Sequence, residues 1–183
     1  MKRSILLHAL IIGSVLLYAC AAQTPGNAWT VYHAASDTLV NPNFPAYSFE
    51  YPSYWEVEEA ADNITFASEA KLLQDPPEKL EPGQILVGLS INQDMPPQEM
   101  VQAYVSSHTS LLQFEEPVAV RLNGHAAVYR NGLNTETGDL SFVLAIDMGE
   151  EMHGLLTAWV AEGELEKWEE VLFKIAGSLK VEE

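Results

Sequence analysis

Cysteine is nearly absent from this chain: Cys20 is the only one in 183 residues. An internal disulfide and a paired-cysteine metal site are therefore both excluded. Positive charge is scarce as well, with 9 Lys and Arg against 26 Asp and Glu and a net charge of −17. A surface of that sign is repelled by nucleic acid and by anionic headgroups, so neither is expected to bind the protein face. The sequence contains no G-x-S-x-G, no H-E-x-x-H, no phosphate-cradling glycine loop and no internal repeat. No enzyme class is indicated. With 48% hydrophobic residues the chain is nevertheless far from disordered composition.

The one long apolar run stands at the start. Lys2 and Arg3 precede an apolar stretch from Ile5 to Leu17, and Leu17-Tyr18-Ala19-Cys20 follows. This is the layout of a secretory signal peptide, with small Ala19 before the cut. His8, Gly13 and Ser14 interrupt the run, which is short for a span of about 20 residues. The cysteine after the cut makes the segment resemble a bacterial lipoprotein lipobox. The resemblance implies a diacylglyceryl group on the Cys20 thiol, an acyl chain on its freed amine, and no other cofactor. Two or more chains make membrane attachment durable. The expected place is the extracytoplasmic side of the cell membrane or outer membrane, and Ala21 lacks the inner-membrane retention aspartate of enteric bacteria. Cleavage leaves 7 basic and 26 acidic residues, a charge of −19.

The expected organisation is a signal peptide over 1–19, a lipidated cysteine and flexible tether over 20–43, and one domain over 44–183. Residues 21 to 43 mix Ala, Thr, Ser, Asn, Gly and Pro as a spacer does, although Trp29, Val31 and Tyr32 would suit a short docked strand. Tyr47, Phe49 and Tyr51 alternate with polar residues on a strand that Pro52 ends. Trp55–Glu59 and Ile64–Ser68 read as two more short strands. Glu69–Gly83, with three prolines, reads as an irregular excursion. Gln84–Asn92 is a strand, and Met95-Pro96-Pro97 opens an amphipathic helix carrying Met100, Val101, Tyr104, Val105, Leu111 and Leu112. Val118–Leu122 runs into Asn123-Gly124, the best hairpin signal in the chain, and His125–Leu133 returns. Leu140–Met148 and Met152–Val160 are apolar on both faces, and a terminal helix spans about Glu164–Ser178. Such strands need cover on both sides. The fold class expected is α+β: a mainly antiparallel sheet with helices on both faces.

The stretch Tyr47-Ser48-Phe49-Glu50-Tyr51-Pro52-Ser53-Tyr54-Trp55 resembles the F-x-Y-P-x-x-W opening of PsbP-like domains. The close of the last helix, with Phe173, Ile175 and Ser178-Leu179, is similar to that family's F-x-x-I-x-x-S-L/F ending. The resemblance covers roughly Tyr47 to Leu179. It implies an α/β/α sandwich shared with a Ran-binding nuclear import factor, and it carries no catalytic signature to match.

Candidate sites are few. His125 and His153 would hold a metal if they lay on neighbouring strands; His108 reads as a boundary residue. Glu56, Glu58, Glu59 and Asp62 form an acidic patch without a turn glycine for calcium. Lys71 and Lys79 are the cations of the Glu69–Gly83 loop and are the expected contacts for a partner. The function expected is that of a lipid-anchored, non-catalytic domain that binds or supports another envelope protein. The alternative is a small-ligand or metal-binding lipoprotein serving a transporter.

Overall fold

A computed structural model describes residues 28–34, 46–59, 63–149 and 151–182. Cys20, the signal peptide and most of the tether lie outside the described residues. Strands and helices follow in the order β1 (Trp29–Ala34), β2 (Tyr47–Pro52), β3 (Glu56–Glu59), β4 (Ile64–Ala67), α1 (Ala70–Gln74), β5 (Ile85–Asn92) and α2 (Pro97–His108). They continue with β6 (Leu112–Phe114), β7 (Val118–Leu122), β8 (His125–Asn134), β9 (Leu140–Gly149), β10 (Met152–Val160), α3 (Leu165–Ser178) and β11 (Lys180–Val181). Among the described residues no helix is long and apolar enough to cross a membrane.

The main sheet runs β3-β4-β5-β10-β9-β8-β6, with β7 also pairing β8, and every pairing is antiparallel. A second sheet, β1-β2-β11, is smaller. Alternation along the central strands gives each face its own core. Phe142, Leu144 and Ile146 of β9 pack with Leu156 of β10, Phe49 of β2, and Trp168, Leu172 and Ile175 of α3. Val143 and Ala145 point the other way, against Met100, Val101 and Val105 of α2. Leu72 of α1 lies on that second face with Ala67, Leu80 and Ala161. Helices cover both faces, as two apolar faces require.

Three differences from the sequence reading have plain causes. The docked strand at Trp29–Ala34 is present and pairs with β2, so the folded unit begins well before residue 44. Its Ala34 is buried and its Tyr32 stacks on Phe49 with ring centroids 5.1 Å apart. The 69–83 excursion holds a short helix, α1, because Leu72 finds a buried seat. Leu112 leaves the α2 pattern for β6, where it pairs with Asn134 across a strand edge.

Candidate functional site

The Asn123-Gly124 turn is where the site starts. Both residues have positive φ, 49° and 92°, the geometry of a tight hairpin turn whose twist matches the strands. Asn tolerates this backbone and Gly has no side chain to oppose it. The turn is seated on the end of α3. The Asn123 side-chain amide donates to the Gly177 carbonyl at 2.6 Å, satisfying one of the helix's last acceptors. Gly177 permits that approach, since a Cβ there would stand 3.3 Å from Asn123 Nδ2 and 3.4 Å from Leu122 Cβ.

Across the helix end stands the small sheet. Ser178 Oγ accepts from the Glu50 N–H at 2.8 Å and donates to the Ile175 carbonyl at 2.7 Å, joining β2 to α3. Between turn, helix end and small sheet lies an open groove of about 720 Å³. Its charged lining is Arg121, Lys174, Lys180 and Glu50, with His125 beside them. Seven Lys and Arg follow Cys20 in the whole sequence, and three of them meet here.

Two of the three cations are held by identifiable contacts. Arg121 Nη1 donates to the Gly124 carbonyl at 3.1 Å, which keeps the guanidinium over the turn. Lys174 Nζ is 3.5 Å from Glu50 Oε2 and 3.6 Å above the Trp29 ring. Such a contact over indole holds a cation in place. Lys180 is exposed on β11, opposite Ser48. Val31, 46% exposed, forms an apolar rim. A planar guanidinium with two ammonium groups is suited to carboxylates, the first as a fork and the others as point charges.

The candidates named from sequence fare differently. His125 and His153 are not on neighbouring strands: β9 separates β8 from β10. They also face opposite ways, since His125 lines the groove beside α3 while His153 shares the α2 face with Leu155. One metal ion cannot bridge them, which corrects that reading. His153 instead sits 3.7 Å from Asp147, and no group of three His, Cys, Asp or Glu side chains gathers among the described residues. His108 stacks on Tyr104 and bonds its carbonyl at 2.8 Å.

Lys71 pairs with Glu69 at 3.2 Å, and Lys79 bonds Glu162 at 2.8 Å. The Lys79 contact raises the lysine pKa and lowers that of Glu162, each through the shared hydrogen bond. Burial alone would raise Glu164, but the Gly83 N–H at 2.6 Å and Lys167 outweigh it and hold the carboxyl below its ordinary range. The loop is thus fastened to the start of α3 by its own chain. Both lysines are paired within the chain and still keep more than half of their side chains exposed, 61% for Lys71 and 51% for Lys79. Glu56, Glu58 and Glu59 line the exposed β3 edge, and Asp62 is outside the described residues. Arg121, Lys174 and Lys180 escaped sequence reasoning because nothing local links them; the one available sign was the hairpin turn beside Arg121 and His125.

No protein-family model matches the sequence, and no curated protein matches it significantly. Solved structures do. Cyanobacterial PsbP (CyanoP) from Synechocystis sp. PCC 6803 superposes with a TM-score of 0.52 at 14% identity, covering 85% of this chain and 93% of that one. The Ran-binding protein Mog1p of Saccharomyces cerevisiae gives 0.52 at 9% identity, covering 84% and 95%. The chain has the PsbP and Mog1 fold. Within it, the two stretches that resemble PsbP-like domains are packing motifs. Tyr47, Phe49 and Trp55 are buried, and Trp55 meets Trp168 edge-on at 5.8 Å. Phe173 closes on Phe142 and Tyr129, and Leu179 is buried beneath the helix end. Of these residues Phe49, Phe173 and Leu179 line the groove.

Proposed function

We propose that the protein is a lipid-anchored, extracytoplasmic, non-catalytic envelope subunit whose basic groove receives an acidic segment of another membrane-associated protein. The observation that carries the reading is the gathering of Arg121, Lys174 and Lys180 in one concavity of a chain with net charge −17. Random placement of so few cations among so many acids would scatter them. A flat anionic bilayer would meet the acidic body as well as the groove and be repelled. An extended acidic segment enters the groove alone. Complementary charge of this kind chiefly sets specificity and association rate. The lipobox-like Cys20 supplies the anchor.

The test places a photocrosslinking residue at Val31, on the rim, in membranes of the native host. One envelope protein is expected, with the crosslink mapping to an acidic stretch. Capture is expected to fall at least tenfold in Arg121→Glu/Lys180→Glu and in Cys20→Ala. Equal capture by the charge-reversed chain would refute the groove as the contact. Undiminished capture by Cys20→Ala would refute the anchor alone.

A further inference from the structure

On the α2 face, remote from the basic groove, a second cleft of about 440 Å³ opens between the end of α2, the start of β9 and the end of β10. Its walls are mainly apolar, including Leu86, Leu111, Leu140 and Trp159. Leu111 is 56% exposed, a large aliphatic side chain left in water at the mouth. Asp139 lies among the lining residues and is completely buried. Its Oδ2 accepts from the Leu80 N–H at 3.1 Å and from Trp159 Nε1 at 3.0 Å. Its Oδ1 has no partner. The Lys79 charge is felt there, but that ammonium is bonded to Glu162. A buried carboxylate with a free oxygen and no cation in contact is costly, and it is relieved by a donor that brings positive charge. Ser141 Oγ and Tyr104 Oη, 3.4 Å apart, border the same cleft and offer further acceptors. The net charge of −17 draws cations toward the surface.

We propose that this cleft binds a small primary amine with an apolar body, its body between Leu111 and Trp159 and its ammonium drawn to Asp139, whose covered Oδ1 it reaches by a local shift of the lining side chains. Apolar walls with a few convergent polar atoms are the ordinary make-up of a small-molecule site. Neutral alcohols of the same shape lack the charge and bind at least tenfold more weakly.

The experiment follows the Trp159 indole N–H by nitrogen-15 NMR in the whole chain held in detergent micelles, with the peak assigned through Trp159→Phe. Phenethylamine is the probe, and 2-phenylethanol controls for partition into detergent. The amine is expected to move the Trp159 and Leu80 N–H signals saturably, with Kd below about 1 mM. Asp139→Asn keeps an oxygen for Leu80 and Trp159 but replaces the free acceptor by a donor, and is expected to remove the response. Should that variant lose its dispersed spectrum, Leu111→Lys, changed only at the exposed mouth, is expected to weaken the amine about tenfold. Equal shifts from amine and alcohol, an unchanged response in these variants, or no saturation would each overturn the proposal.

Discussion

The seat of the Asn123-Gly124 turn on α3 yields a prediction that separates backbone from side chain. Asn123 makes a 2.6 Å hydrogen bond to the Gly177 carbonyl, and its φ of 49° lies in the left-handed region. Asn123→Ala loses the hydrogen bond, about 1 kcal/mol net, and adds about 1 kcal/mol for placing an ordinary residue in that backbone region. Asn123→Gly loses only the bond, because glycine accepts the conformation freely. The expected losses are therefore about 2 and about 1 kcal/mol. Urea denaturation followed by tryptophan fluorescence reads both, with an unchanged slope m and a lowered midpoint. On heating, the alanine variant is expected to melt about 4–8 °C lower. A glycine variant as unstable as the alanine one would refute the backbone share. Two variants indistinguishable from wild type would refute the claim that the turn is fastened to the helix at all. The groove depends on the result, because the turn carries Arg121 and forms one of its walls.

Two further outcomes follow from the same geometry. Glu164 is held below the ordinary carboxylate value of 4.5, so its stabilisation is complete above that pH and is lost as pH falls through the lower folded value. Glu164→Gln should be about 1 kcal/mol less stable than wild type at pH 7, with the gap closing as pH falls below the ordinary carboxylate range in parallel denaturation series; a gap independent of pH would contradict the charge-assisted bond to Gly83. A Cβ at Gly132 would stand 2.8 Å from two ring carbons of Phe114, so Gly132→Ala must displace the ring that covers this cross-strand pair. We expect a loss of about 1–2 kcal/mol that largely disappears in Gly132→Ala/Phe114→Leu, and an additive double mutant would show that the ring is not the obstacle.

What the sequence made legible was whatever is written in neighbouring residues. The alternation of Leu140–Met148, the Asn-Gly turn and the spacing of Trp168, Leu172 and Ile175 each specify an element locally, and each element stands where its pattern puts it. Faces were legible for the same reason: Val143 and Ala145 opposite Phe142 and Leu144 require two cores. Strand order was legible only in part: β8, β9 and β10 follow one another as consecutive hairpins, which puts β9 between His125 and His153, whereas the pairing of β10 with β5 is long-range. The charges of Lys71 and Lys79 were visible, but their partners Glu69 and Glu162 were a matter of geometry. Asp139 gave no sign at all. It reads as a turn residue after Gly138, and only the fold buries it beneath Trp159.

The early start of the folded unit constrains where the proposed partner must be. Trp29 already pairs with Pro52, so nine residue steps separate the Cys20 position from structure that borders the groove. A fully extended chain covers at most about 3.3–3.6 Å per residue, which gives a reach of roughly 30 Å. A tether running to residue 43 would reach more than twice as far. With the shorter leash, β1 enters the domain beside the groove: Trp29 lies under Lys174, and Val31 is on the rim. An anchored copy would therefore hold its basic groove close to the headgroups, where the anionic surface repels the acidic body and turns other faces outward. The acidic segment it receives would have to lie close to the membrane too, on a protein of the same bilayer. A soluble acidic protein would gain nothing from the anchor, and its capture would be indifferent to Cys20.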